Sequence, residues 1–239
     1  MPILCIDTST PVCSAGLFSE RGLLANASLN NPRSAASSLV PLIGDLLGHA
    51  SCQRDDLQGV ALAKGPGSYT GLRVATSTAK GLCYALNIPL VGIDSLKALA
   101  FSALKRFEYS ENELVVPMID ARRMEVYQAI YNAKGECLLP THPHIFGEGD
   151  YSHWLEQGYT LHLMGTGAPK SKKILKHERL RASPGPEHCL HGLASLAWER
   201  LGQGETEGLA YFEPFYLKSF QGKKSTGHKL LKQEKTKHG

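Results

Sequence analysis

The 239-residue chain contains no Cys-x-x-Cys pair, no His-Glu-x-x-His and no Gly-x-x-x-x-Gly-Lys-Ser/Thr. Those absences remove zinc-ribbon and thioredoxin-type sites, the zinc-protease helix and the P-loop, because each depends on ligands or a phosphate cradle at a fixed spacing. Long apolar runs are missing too. None approaches the roughly 20 residues that a membrane-spanning helix needs, and the opening Met1-Pro-Ile-Leu-Cys-Ile-Asp7 lacks the basic start of a secretory signal. The six cysteines, at 5, 13, 52, 83, 137 and 189, are scattered. The expectation is a cytoplasmic protein with no membrane contact, whose thiols are reduced and mostly buried. The six cysteines offer no recognisable thiol nucleophile with a paired base, and Ser68 has no patterned histidine nearby, so no covalent nucleophile is expected.

Acidic residues are scarce at one end only. From Lys218 onward there are seven lysines against Glu234, while the whole chain carries a formal charge of +4, so the body before Lys218 is slightly acidic. Such a terminus either attracts RNA or is simply solvated and disordered. With 42% hydrophobic and 20% charged residues, the body can bury the core of one large domain or two small ones.

Taken in order, 3–6, 13–18 and 23–29 read as three strands, with Glu20-Arg21-Gly22 as a hairpin turn. After the break at Asn31-Pro32, Leu39, Leu42, Ile43, Leu46, Leu47 and Ala50 mark an amphipathic helix capped within 34–38. An apolar strand over 59–63 leads into Lys64-Gly-Pro-Gly-Ser-Tyr-Thr-Gly-Leu-Arg73. Gly65, Pro66 and Gly67 predict a sharp turn, and Ser68 or Thr70 a helix cap. A helix follows over 71–86, with Leu72, Ala75, Ala79, Leu82, Cys83 and Leu86 along one side. Strand, glycine turn and capped helix can cradle an anion, or can merely make a tight turn. A strand over 90–93 and a helix over 95–106, capped by Asp94 or Ser95, complete the first half.

The second half echoes the first. Ile6-Asp7 precedes Cys13, Gly16, Leu17 and Phe18 at the same spacing by which Ile119-Asp120 precedes Val126, Ala129, Ile130 and Tyr131. A His- and Gly-rich region over 140–150, a short helix over 151–157, a strand over 160–164, Gly165-Thr-Gly167, a basic loop and a helix over 189–201 follow. Two α/β domains with mixed sheets fit this order; one continuous doubly wound sheet is the alternative.

Ile-Asp-Thr-Ser-Thr (6–10), Gly-Pro-Gly-Ser-Tyr-Thr-Gly-Leu-Arg (65–73), Pro-Met-Ile-Asp-Ala-Arg-Arg-Met-Glu-Val-Tyr (117–127) and the closing strand motif Tyr-Phe-Glu-Pro-Phe-Tyr-Leu-Lys (211–218) together resemble the TsaB (YeaZ) family over nearly the whole chain except its tail. The resemblance implies an actin-like (ASKHA, ribonuclease-H-like) α/β fold of two duplicated domains with mixed sheets, over 1–110 and 111–218, before a basic tail at 219–239. It implies a non-catalytic subunit of tRNA threonylcarbamoyladenosine biosynthesis that binds the catalytic TsaD and works with the ATPase TsaE. tRNA is then reached through the complex, and a homodimer is expected when TsaD is absent. ATP, Mg²⁺ and metal belong to the partner subunits, and this chain has no cofactor of its own. It lacks the His-x-x-x-His metal pair of the catalytic relative, and also the family's frequent histidine before the first long helix, where it reads Pro32 to Ser38.

Two sets of site residues follow. Asp7, Thr8, Ser9 and Thr10, with Gly65, Gly67, Ser68 and Thr70, and Asp120, Gly165 and Gly167 in the second half, form a vestigial nucleotide loop. Ser9 stands where a phosphate loop prefers glycine, and Ala121, Arg122 and Arg123 follow Asp120 where glycines would let phosphate approach the backbone. Asp7 and Asp120 either retain a Mg²⁺ role or only cap turns. Gly165-Thr-Gly167 could lie under an adenine, and Arg122 and Arg123 grip an anion or form a solvated turn. The second set is the partner interface: Leu39, Leu42, Ile43 and Leu46 on one helix, with Leu72, Ala75, Thr76, Ala79, Leu82 and Cys83 on the next. The same stripes could instead pack on the chain's own sheet. His188, Cys189 and His191 could share one helical face around a metal, and His142-Pro-His144 reads as an exposed loop. An autonomous actin-fold phosphotransferase and an RNA-binding accessory protein are the rival functions.

Overall fold

A computed structural model of the chain describes residues 1–30, 35–186 and 188–218. The histidine-free stretch before the first long helix and the Lys-rich tail therefore lie partly or wholly outside the described residues.

Strands β1 (Ile3–Asp7), β2 (Val12–Ser19) and β3 (Gly22–Asn30) form an antiparallel meander, and β4 (Gly59–Gly65) and β5 (Leu90–Asp94) continue the sheet parallel to β1 in the order β3-β2-β1-β4-β5. β1 is buried along its whole length and covered on both faces, hence its unbroken apolar run. The edge strand β3 is mostly exposed. Helix α1 (Ala35–His49) leads from β3 to β4, and α2 (Tyr69–Leu86) crosses from β4 to the parallel β5. Ser68 caps α2, its hydroxyl accepting the Gly71 N–H at 3.3 Å, and Asn87 closes it in the left-handed conformation.

Helix α3 (Ser95–Arg106), capped by Asp94, leads to a second sheet. There β6 (Glu113–Asp120), β7 (Glu125–Asn132) and β8 (Cys137–Ile145) make the meander, and β9 (Thr160–Met164) and β10 (Leu180–Ser183) add in parallel, giving β8-β7-β6-β9-β10. Short helices α4 (Ser152–Glu156) and α5 (Ala168–Ser171) stand where α1 and α2 stand in the first half, and α6 (Leu190–Gly202) where α3 stands. The same sheet and helix order occurs twice, which is the duplicated actin-like architecture.

The α1–α2 layer packs on one face of the first sheet, against Leu4, Ile6, Leu17 and Leu62. The other face receives α6 through Leu190, Leu193 and Ala197, and one side of α3 through Ala98 and Leu99. The opposite side of α3, Leu96, Ala100 and Ala103, packs on Val115, Ile119 and Ala129 of the second sheet. Helices α3 and α6 cross so closely that a Cβ on Gly192 would collide with the Ala98 carbonyl, and the Gly192 N–H donates to Ser102 Oγ at 2.8 Å. Helix α6, the last helix of the described residues, thus lies on the first sheet.

Two segments read as loops are strands. His142-Pro-His144 lies in β8, an edge strand of intermediate-to-exposed residues; an edge tolerates Pro140 and Pro143, and those prolines disguise it in the sequence. β10 falls within the basic stretch. Conversely, 211–218 forms no strand. It is a turn followed by an extended strap whose Phe215 N–H donates to the Lys64 carbonyl at 2.7 Å, while Phe212 is buried against the first sheet.

Candidate functional site

The end of β1, the glycine turn and the start of α6 converge. Asp7 is 2% exposed, and all its carboxylate contacts come from this chain. Oδ1 accepts the Ser9 N–H at 2.9 Å and the Ser9 hydroxyl at 2.7 Å. Oδ2 accepts the Cys189 N–H at 3.2 Å and its thiol at 3.1 Å. Burial, and then the Asp7 charge, push the Cys189 thiol well above its ordinary range, so it stays a neutral donor. Thr8 Oγ1 donates to the Gly71 carbonyl at 2.8 Å, and the Ser68 N–H donates to the Ser9 carbonyl at 2.7 Å.

The glycine turn is thereby pressed onto the β1–β2 loop, backbone against backbone. A Cβ on Gly67 would strike the Ser9 carbonyl, and one on Gly71 the Thr8 carbonyl. Gly65, in a cis peptide with Pro66 and at φ +120°, lies under the Phe215 carbonyl and donates its N–H to Ser95 Oγ at 3.0 Å. Thr70 is exposed on the first turn of α2 and is not the cap. These glycines serve close packing of the chain on itself.

The second half does not repeat this arrangement. The first hairpin pairs Asp7 with Ser14, whereas the second pairs Asp120 with Val126, one residue tighter. Val126 belongs to the core beneath α4 and α5, while Asp7 reaches α6, so the two aspartates leave their sheets on opposite faces. Asp120 is half exposed; its Oδ1 accepts the Arg122 N–H at 2.6 Å and Lys170 Nζ at 2.7 Å. Gly165, at φ +96°, packs on the Met118 carbonyl, and Gly167 on Met118 and Val126. The shared spacing of Ile6-Asp7 and Ile119-Asp120 therefore conceals a change of face.

A nucleotide with Mg²⁺ does not fit these groups as they stand. Both Asp7 oxygens already hold donors from the chain, Asp120 is paired with Lys170, and carbonyls of residues 8, 9 and 118 occupy the space beside the glycines. Among the described residues no three His, Cys, Asp or Glu side chains are placed to share a metal. His188 and His191 stack on each other with centroids 6.4 Å apart, while Cys189 between them turns inward to Asp7.

The interface set turns inward as well. Leu39, Leu42, Ile43, Leu46, Leu72, Ala75, Thr76, Ala79 and Cys83 are all buried within the chain, and Leu82 is half-buried against the same core. Burying each leucine stabilises by roughly 2 kcal/mol, and the first sheet is the nearest apolar surface. What α1 and α2 present outward is Val40, 62% exposed, and Tyr84, 84% exposed, with Gly44, Gly48 and Gly81 among them. At each of those three glycines an added Cβ would meet none of the described residues within 4 Å.

Sequence reading missed the strap. Lys80 Nζ donates to the carbonyls of Ala210 and Phe212 at 3.2 Å each, Tyr216 lies against Tyr69 with centroids 4.7 Å apart, and Lys218 ends on the Glu125 carboxylate of β7. It ties the first sheet to the second. No helix of the described residues is long and apolar enough to cross a membrane, and the six cysteines are free.

The family described as "TsaD: tRNA N6-adenosine threonylcarbamoyltransferase" matches residues 23–148. The Escherichia coli (strain K12) protein named tRNA threonylcarbamoyladenosine biosynthesis protein TsaB is 28% identical over 92% of this chain and 95% of its own length. The Bacillus subtilis (strain 168) protein of the same name is 34% identical over 58% of each chain. A crystal structure of a Pseudomonas aeruginosa protein with similarity to peptidase YEAZ superposes with a TM-score of 0.74 at 28% identity, covering 91% of this chain and 99% of that one. With its doubled sheet, its glycine turn and these relatives, the chain belongs to the TsaB (YeaZ) family, within the wider group that the TsaD match describes.

Proposed function

We propose that the chain is a subunit without chemistry of its own in tRNA threonylcarbamoyladenosine biosynthesis. In this reading it binds and activates a catalytic TsaD-type protein, which works with the ATPase TsaE and receives tRNA within the complex. ATP, Mg²⁺ and metal belong to the partners. The names of the curated relatives support the pathway. The self-filled loops at Asp7 and Asp120 support the lack of catalysis, and argue against an autonomous phosphotransferase.

The observation that carries the docking role is the outward face of α1 and α2. A glycine inside a helix costs about 1 kcal/mol relative to alanine, and nothing among the described residues requires Gly44, Gly48 or Gly81. Three such positions beside exposed Val40 and Tyr84 suit the close approach of another helix, from the catalytic partner or, in its absence, from a second copy.

The test is a gene replacement joined to a binding assay. The chain should restore the modified adenosine in cells lacking their own TsaB, and the purified protein should co-elute with the catalytic subunit. No restoration and no complex would overturn the reading. Micromolar binding of Mg-ATP to the isolated chain by calorimetry would favour the phosphotransferase instead.

A further inference from the structure

The second sheet carries a charged corner that the docking face leaves unused. Between Lys170 and Arg181 six Lys or Arg stand against one acid, Glu178. Lys172, Lys173 and Lys176 are exposed and form no ion pair among the described residues. The β6–β7 turn adds Arg122 and Arg123, both exposed and held in the left-handed conformation at φ 71° and 49°.

These two sets adjoin. Lys170 reaches from α5 to Asp120 Oδ1 at 2.7 Å and to the Glu125 carbonyl at 2.8 Å, and Lys218 lies on the Glu125 carboxylate. Burial pushes the Tyr127 hydroxyl up while the charges of Lys218 and Arg122 pull it back, as their nearness requires. Asp120 and Glu125 are thus already neutralised by lysines of the chain, which leaves Glu178 as the acid of the basic stretch. Arg122, Arg123, Lys172, Lys173 and Lys176 remain uncompensated. Beyond Lys218 the sequence supplies six more lysines and one acid.

We propose that this corner binds the phosphate backbone of an RNA directly, the turn arginines and the lysines after α5 each neutralising phosphates. Guanidinium forks match phosphate oxygens, and the released counterions drive the association. Phe215, 40% exposed on the strap that ends at Lys218, offers a face to an unpaired base. An anionic membrane fits less well, because the exposed apolar side chains among the described residues of this corner, Met124, Ile145 and Phe215, come from separate segments and form no continuous apolar face. Interfacial binding takes an amphipathic helix with a broad apolar side. The surface lies on this chain alone, so the inference stands or falls apart from the docking role.

Fluorescence anisotropy of the full chain with an unmodified tRNA transcript, followed across KCl concentration, tests it. Arg122→Asn/Arg123→Asn keeps residues that accept left-handed backbone, and Lys172→Gln/Lys173→Gln alters a different segment. Each double variant should bind about tenfold more weakly and lower the salt slope by about two, with unchanged circular dichroism. Wild-type affinity in both variants overturns the proposal. So does binding that depends only on the residues after Phe220, or a preference for phosphatidylserine vesicles over the RNA at equal salt.

Discussion

Asp7 and Cys189 are 182 residues apart, yet Asp7 Oδ2 accepts both the Cys189 amide, at 3.2 Å, and its thiol, at 3.1 Å. This joins the end of β1 to the start of α6. The carboxylate also faces the positive end of the α6 dipole. The buried carboxylate thus holds the end of β1 to the start of α6.

Removing the carboxylate should therefore act on stability. Asp7→Ala strands the Ser9 N–H, the Ser9 hydroxyl and the Cys189 N–H in a nearly dry site. Hydrogen bonds to a buried charge are worth about 1.5–3 kcal/mol each, so a loss of about 4 kcal/mol in urea unfolding is expected. Cys189→Ala removes only a weak sulfur donor and should lose about 1 kcal/mol. Equal losses would show that the amide and serine contacts contribute little.

The glycine turn offers a second test. Gly67→Ala and Gly71→Ala each drive a methyl group into a backbone carbonyl, of Ser9 and Thr8 respectively, that cannot swing aside as a side chain can. Each should destabilise by about 3 kcal/mol. A crystal structure of either variant should show the turn lifted off the β1–β2 loop. An unchanged melting temperature would mean that the turn already yields.

Much of this was legible in advance, and what was not has physical causes. Alternation and glycine punctuation reveal β1 to β5 and the capped α2, because strand period, turn chemistry and caps are local. Helical spacing likewise identifies the stripes Leu39–Leu46 and Leu72–Cys83. It does not say what covers them, since a stripe facing its own sheet and a stripe facing a partner have the same period. β8 was hidden by Pro140 and Pro143, which an edge strand tolerates. The pairing of Asp7 with Cys189 had no local signal at all. The matching Ile-Asp pairs misled for a different reason: a hairpin tighter by one residue sends Asp120 out on the other face of its sheet.

Acid should expose another contact. Glu113, at the start of β6, accepts the Ser110 N–H at 2.9 Å and binds His162 at 2.7 Å. First the Ser110 amide and then His162 hold its carboxyl below the ordinary 4.5. A carboxylate whose folded value is depressed contributes stability that is fully present above its unfolded value and disappears as pH falls through the folded one. Wild-type stability should consequently drop more steeply than that of Glu113→Gln as pH falls below about 4.5. The difference between the two urea midpoints, measured across that range, should shrink with acid. Parallel curves would remove Glu113 from the account.

The outward helical face can be separated from the core beneath it by opposite effects on folding and docking. Gly81→Ala and Gly44→Ala place a methyl in open space, so each should stabilise the isolated chain by about 0.5–1 kcal/mol. The same methyl would hold a partner helix away and should weaken binding to the catalytic subunit at least about tenfold, as an overpacked contact loses 1 kcal/mol or more. Tyr84→Ala should leave the melting temperature unchanged, because the ring is 84% exposed, yet weaken the complex as loss of an aromatic anchor does. Leu72→Ala should do the reverse, costing about 3 kcal/mol of stability through the cavity left by a fully buried side chain before any effect on docking appears. Thermal melts of the single chain and titrations against its partner read the two effects separately. If Gly81→Ala and Tyr84→Ala both bind like wild type, the catalytic subunit docks elsewhere, and the unexplained glycines of α1 and α2 need another cause.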